Sequence, residues 1–190
     1  MSSHHVVKEK QEPALIVDNI DVINRFHLEQ LLEWTPTVLT NNRSALKLMR
    51  DGTKVDIVFT TEEIQSMQDG VEFVPLKDQE FMEAALCYLV KKEYPAANLI
   101  SGNVDLNGIA FFLDKINLVI IHHNKKTFPI KTGFKKWQTQ GEIIEFNYEE
   151  IPVNTSGLKK LDHKRFQTTR DGFYEIFFDD SRYLFITENL

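Results

Sequence analysis

The stretch "VPLKDQEFMEAALCYLVKKEYPAANLISGNVDLNGIAFFLDKINLVII", Val74 to Ile121, decides the fold. It opens on an apolar run and passes through an acidic turn into the amphipathic pattern "DQEFMEAALCYLVKKEY". That helix must stop before Pro95, because the residue preceding a proline avoids helical geometry. "NLIS" then reads as a strand, "NVDLNGIAFFLDK" as a second helix and "INLVII" as another strand. Asp78 stands where an N-cap of the first helix is expected, and Asp105 where one is expected for the second.

The same alternation extends toward the N-terminus. "ALIVD" from Ala14 is a short apolar run, and "DVINRFHLEQLLEW" sets Val22, Ile23, Phe26, Leu28, Leu31 and Leu32 at helical spacing. "TPTVLTN" follows as a strand and "NRSALKLMRDG" as a helix closed by Gly52. "VDIVF" is a strand, "TTEEIQSMQDG" a short helix capped by Thr60 or Thr61, and "VEFVPL" a strand. Strands that are apolar throughout and alternate with helices call for a parallel sheet covered on both faces. The expectation is therefore an α/β domain over 14–123, Rossmann-like with a mostly parallel sheet, preceded by a polar tail at 1–13.

After His123 the period turns from helix to strand and stays there. "KTFPIK", "GEIIEFNYEE", "GLKKL", "RFQTT", "FYEIFFDD" and "RYLFIT" are short runs separated by Gly, Asn, Asp and Ser, with "DDSRY" as a hairpin turn. Residues 124–190 are expected to form a small all-β sandwich, near the lower limit of what folds alone. Such a unit leans on the first domain or on a second copy of itself.

The chain has 190 residues, 42% hydrophobic and 26% charged, an ordinary globular composition. Its net charge of −6 argues against a nucleic-acid binder, whose affinity rests on Lys and Arg neutralising phosphates. The single cysteine, Cys87, excludes an intrachain disulfide and a multi-cysteine metal site. No apolar run reaches bilayer-spanning length, and "MSSHHVVKEKQEP" lacks the apolar core of a signal peptide, so the expectation is a cytoplasmic protein with no membrane partner. His4 and His5 read as solvated tail residues. Of His122 and His123, at the end of an apolar strand, one is expected to point inward as a hydrogen-bonded structural histidine. No G-x-x-x-x-G-K-[ST] loop, G-x-G-x-x-G turn, H-E-x-x-H pair or serine elbow is present.

Several short motifs carry a further signal. "KDQEFMEAAL", Lys77 to Leu86, follows without a gap the form Lys-Asp-x-Thr-Asp-x-Glu-x-Ala-Leu: Asp78, Glu83, Ala85 and Leu86 match, while Glu80 stands for the Thr and Phe81 for the second Asp. "SGNVDL" follows Gly-Gly-Arg-x-Asp-His, with Gly102 and Asp105 matching and Ser101, Asn103 and Leu106 replacing a Gly, the Arg and the His. "SGLKKL" keeps Gly157, Leu158 and Lys159 of a Gly-Leu-Lys element, and Thr169, Arg170 and Asp171 fall on a Ser-Asn-Glu. Asn41, Asn42, Arg43 and Ser44 precede Ala45 where an Asp-Gly-Gly-Ala turn would stand, and Phe59 to Glu63 take the place of Gly-Asp-Phe-Asp-Ser.

In this order and spacing the chain resembles the thiamine pyrophosphokinase family, which transfers pyrophosphate from ATP to the hydroxyethyl group of thiamine with Mg²⁺. The resemblance implies Asp78, Glu83 and Asp105 as catalytic residues, with Glu62, Asp78 and Asp105 toward the metal, Glu62 or Glu63 standing in for a missing Asp of the motif. It implies Asn42, Gly102, Asn103, Lys159, Thr169 and Asp171 toward ATP, thiamine or a related small molecule. It also implies a homodimer, because the family's site forms between domains of two subunits. The replaced letters remove carboxylates suited to Mg²⁺ and an Arg suited to phosphate, so the expected activity is weak or lost. Arg170 replaces an Asn, and a cation there repels a thiazolium ring. The alternative is a non-catalytic thiamine- or nucleotide-binding homodimer on the same scaffold. Capping and helix-dipole roles compete for Asp78, Asp105 and Glu83.

Overall fold

The computed structural model describes residues 12–62, 68–147, 152–179 and 182–190. The chain divides into two compact units, Met1–Leu118 and Val119–Leu190. His4, His5, Glu63, most of the helix expected in "TTEEIQSMQDG" and the centre of the "DDSRY" turn lie outside the described residues.

The first unit is built on five parallel strands: β1 (Ala14–Val17), β2 (Val38–Asn41), β3 (Ile57–Thr60), β4 (Glu72–Pro75) and β5 (Ala96–Ile100). Their order is β5-β1-β2-β3-β4. Ile16 sits opposite Leu39 on one side and Leu99 on the other. β1 and β3 are buried at every position, which is why their sequences are unbroken apolar runs. The chain steps outward from β1 to β4 and then returns to the far side of β1 as β5. That reversal makes the carboxyl ends of β1 and β5 the topological switch point, where open α/β sheets hold ligands.

A 3-10 turn (Ile20–Val22) precedes α1 (Arg25–Leu32); α2 (Asn42–Arg50), α3 (Phe81–Lys91) and α4 (Leu106–Ala110) follow. Asn24, Asn41 and Asp105 each accept a backbone N–H from the first turn they cap, as the shape of a short polar side chain at a helix start allows. Gly52 closes α2 at φ +78°, as its position in the sequence suggests. Two local expectations differ. The N-cap of α3 is Glu80, with no side-chain cap bond, and Asp78 lies before it in the turn closed by Gln79 N–H to the Leu76 carbonyl. The apolar face expected through Val22 to Leu32 is split: Val22 is buried in the 3-10 turn, whereas α1 buries none of its residues and leaves Phe26 exposed. Asn24 restarts the chain between them, which shifts the helical phase.

Strand β6 (Asn117–His122) straddles the division and pairs antiparallel with β7 (Lys125–Ile130). The second unit continues with β8 (Phe134–Gln138), β9 (Ile143–Asn147), β10 (Val153–Ser156), β11 (Leu158–Lys160), β12 (Arg165–Thr168), β13 (Gly172–Phe178) and β14 (Leu184–Asn189). Antiparallel strands run in the order β11-β12-β9-β14-β7-β6 in one sheet and β10-β13-β8 in another. Both contribute to one core, with Ile144, Phe146, Phe166 and Ile186 from the first and Tyr174, Ile176 and Phe178 from the second. β8 and β10 have weak apolar alternation, "FKKWQ" and "VNTS", and the hydrophobic period alone does not reveal them.

Candidate functional site

At the switch point the chain leaves β1 at Asp18 and β5 at Ser101. Asp18 and Asn19 N–H groups both donate to the Ile100 carbonyl, which holds the two strand ends together. The Ser101 hydroxyl, buried at the end of β5, lies 2.7 Å from Asp18 Oδ2. Asn41 Nδ2 donates to the Asp18 carbonyl at 2.7 Å and to Asp18 Oδ1 at 3.2 Å, while its Oδ1 accepts from Ser44 N–H. Ser44 Oγ also donates to the Asp18 carbonyl. Three strand ends therefore converge on one half-buried carboxylate, and no cation pairs with it among the described residues. Asp18 escapes a motif-based reading of the sequence; its only signal is an acid directly after the first apolar run.

Three of the expected residues border this network, and a fourth follows them at the start of α4. Asn42 opens α2 beside Asn41, and its Oδ1 is buried without a hydrogen-bond partner. Gly102 is packed so that a Cβ would lie 3.1 Å from Val22 Cγ1, and Asn103 holds Ser101 through its backbone carbonyl, 3.0 Å from Ser101 Oγ. Asp105, the cap of α4, accepts from Asn107 N–H at 3.0 Å.

The remaining acids stand on other strand ends. Glu62 follows β3, with its N–H and carbonyl both turned to Thr60 Oγ1. Asp78 is exposed after β4, and Glu83 is exposed on the first turn of α3. Between them Phe81 points inward: it is 9% exposed, and its ring meets Phe59 edge-on at 5.7 Å. Tyr88 meets the same Phe59, and burial together with its bond to Glu72 pushes its hydroxyl up to about 12.

In the second unit Gly157, at φ +75°, brings its carbonyl to Thr169, which donates from both N–H and Oγ1 at 3.0 and 3.2 Å. Asp171 accepts from Gln140 N–H at 2.8 Å. Lys159 is exposed on β11 opposite Gln167, and Arg170 is exposed beside Thr169. His122 is half-buried and meets the tilted ring of exposed His123, centroids 4.3 Å apart, instead of making a side-chain hydrogen bond among the described residues. Cys87 is free and exposed on α3.

The acids expected to hold Mg²⁺-ATP stand on separate strand and helix ends, Glu62 after β3, Asp78 after β4, Glu83 on α3 and Asp105 at α4. Mg²⁺ asks for near-octahedral oxygen donors from one or two carboxylates and phosphate oxygens. Among the described residues no group of three His, Cys, Asp or Glu side chains gathers to hold an ion. Both Asp18 oxygens are already hydrogen-bonded, and the orphaned Asn42 Oδ1 is an acceptor that a phosphate cannot satisfy. No described helix is long and apolar enough to cross a membrane.

No family model and no curated protein matches the chain. Among solved structures, thiamine pyrophosphokinase from Bacillus subtilis is similar over 93% of this chain and 97% of its own, with a TM-score of 0.68 and 10% identity. A probable thiamine pyrophosphokinase from Staphylococcus saprophyticus is similar over 94% and 98%, with a TM-score of 0.62 and 16% identity. The Geobacillus thermodenitrificans enzyme gives 0.63 at 11% identity, over 93% and 96%. At such identities the likeness is one of fold, and the fold of this chain is that of the thiamine pyrophosphokinases.

Proposed function

We propose that this protein is a thiamine pyrophosphokinase-family member in which pyrophosphoryl transfer from ATP to thiamine is weak or lost, and that it acts as a cytoplasmic, homodimeric binder of thiamine or a related small molecule. Residues 14–123 serve as its nucleotide-binding-like domain and 124–190 as its thiamine-binding-like domain. Lys159, Thr169 and Asp171 belong to the ligand surface of the latter, and Asn42, Gly102, Asn103 and Asp105 to that of the former. Asp78, Glu83 and Glu62 are what remains of an acidic set for Mg²⁺ and ATP.

One observation carries this reading: Phe81, which fills a motif position otherwise held by an aspartate, is buried against Phe59. Phosphoryl transfer is mainly positioning and charge neutralisation, so an acid exchanged for a packed ring removes part of the catalytic effect itself. Asn103 in place of an Arg removes a charged two-donor fork for phosphate.

Calorimetry of the purified full chain with thiamine and with Mg²⁺-ATP, followed by chromatography for thiamine diphosphate, tests the proposal. Thiamine binding with little or no thiamine diphosphate is the expected result. Turnover on the order of 1–100 s⁻¹, the ordinary range for kinases, would overturn it.

A further inference from the structure

The outer face of the three-stranded sheet β10-β13-β8 carries none of the residues assigned above. An antiparallel sheet with one face in water alternates apolar residues inward with polar residues outward. β13 breaks that rule: Tyr174, Ile176 and Phe178 are buried in the core, yet the alternate positions Phe173 and Phe177 are 57% and 46% exposed. Trp137 on β8, directly opposite Phe173 in the register, is 52% exposed. The three half-exposed rings together present about 300 Å² of apolar surface, the size at which a patch on a monomer is often functional. β13 thus has the sequence of a strand covered on both sides.

The charged groups on the same face indicate what covers it. Lys135 and Glu175 are the next opposed outward pair along β8 and β13, 2.7 Å apart, and Lys135 Nζ lies 5.1 Å from the Phe173 ring centre. Two rows therefore lie side by side, Trp137 with Phe173 and Lys135 with Glu175. A two-fold axis parallel to the strands and between β8 and β13 lays β8 of each copy over β13 of the other, and each contact then occurs twice. Lys135 meets the partner's Glu175, and Trp137 meets the partner's Phe173. The face is in this way complementary to itself, cation to acid and ring to ring. An axis across the strands through the charged row would instead oppose Lys135 to its own copy and Glu175 to its own copy, a like-charge arrangement that costs affinity.

We propose that two copies of this chain pair through the outer face of β8 and β13, with Trp137, Phe173 and Phe177 excluding water and the reciprocal contacts of Lys135 and Glu175 fixing the register. This deepens the homodimer of the preceding proposal and rests on that part of it; it requires neither thiamine binding nor the loss of turnover. The footprint of a three-stranded sheet belongs at the small end of specific interfaces, so the dimer is expected to dissociate on dilution.

Sedimentation velocity of the full chain over a dilution series tests this. The unaltered protein is expected to dimerise. The double substitution Trp137→Ser with Phe173→Ser, Lys135→Glu alone and Glu175→Lys alone are each expected to weaken the dimer about tenfold or more, because they truncate central rings or oppose like charges. Mixing the Lys135→Glu and Glu175→Lys chains separates contacts across the axis from those within one chain. Neither chain keeps its own cross-strand ion pair, yet every charged contact between the two joins an acid to a cation. A one-to-one heterodimer is expected, about tenfold or more tighter than the self-association of either variant. Thermal melts check that the variants fold, and the mixing experiment decides if the doubly substituted chain does not.

A dimer unaffected by these substitutions would overturn the proposal and leave the homodimer itself standing, formed through another surface. Failure of the mixed chains to pair would refute the reciprocal register and with it the proposal. A monomer at every concentration, the face being left to a different partner, would overturn both this proposal and the homodimer; the thiamine measurement is independent of all three outcomes.

Discussion

The Tyr174 hydroxyl donates to Glu188 Oε1 at 2.6 Å, joining β13 of one sheet to β14 of the other inside the core of the second unit. Tyr174 is 1% exposed and Glu188 2% exposed, and Lys136 on β8 reaches the other carboxylate oxygen. Burial raises the tyrosine hydroxyl far above its ordinary value, with Glu188 adding to the shift, so it stays a donor. A buried carboxylate is tolerable only while it keeps its partners, and removing the cation leaves an uncompensated charge.

Lys136→Met is therefore expected to destabilise the protein by about 3 kcal/mol or more, and Tyr174→Phe by a smaller ~1–2 kcal/mol for one lost charged hydrogen bond. Glu188→Gln in the Lys136→Met background should recover part of the loss. Urea denaturation of the three variants measures the order, and equal losses for Lys136→Met and Tyr174→Phe would contradict it.

Phe81→Asp is expected to destabilise the protein by roughly 3–5 kcal/mol, the range for deleting a buried Phe, with a further cost for the carboxylate. The edge-on contact with Phe59 disappears, and the charge faces apolar surroundings. Denaturation and a thiamine diphosphate assay on the same variant test this together. Restored turnover at unchanged stability would mean that the ring is not packed as described.

Much of this fold is legible in the sequence because β1 and β3 bury every position and so read as unbroken apolar runs. The cap at Asp105 is legible for a local reason, a short polar side chain at a helix start, whereas Asn41, which caps α2, stands in the sequence only beside other polar residues. The site is less so. Asp18 meets Ser101 and Asn41 at sequence separations of 83 and 23 residues, the first brought to it by the return of β5 to the side of β1 and the second by the pairing of β2 with β1. Phe81 shows the opposite difficulty. An ungapped motif gives its register, but whether the residue faces solvent or core depends on Phe59, which lies on another strand.

Gly157→Ala tests the turn that presents Thr169. At φ +75° an L-residue is strained, and its Cβ would lie 2.9 Å from the Phe173 carbonyl oxygen, a backbone atom that cannot swing away. The left-handed conformation alone costs about 1–2 kcal/mol, and the clash adds to it. A loss of at least ~2 kcal/mol is expected in urea denaturation, with weakened thiamine binding if Thr169 belongs to the ligand surface. A neutral substitution would mean that the backbone moves freely there.

His122 sets a pH dependence whose direction follows from its surroundings. Burial lowers its affinity for a proton, and His123 and Lys125 beside it add repulsion to the charged form. In the unfolded chain the ring titrates near 6.5, so between that pH and its lower folded value the unfolded state holds more protons. The contribution of neutral His122 to stability is thus complete above about 6.5 and declines as pH falls through the folded value. Urea midpoints measured across this interval should fall more steeply for the unaltered protein than for His122→Gln, which cannot titrate. An NMR titration of the imidazole should place its midpoint below that of a free histidine; a midpoint above it would reverse the predicted slope and refute burial as its cause.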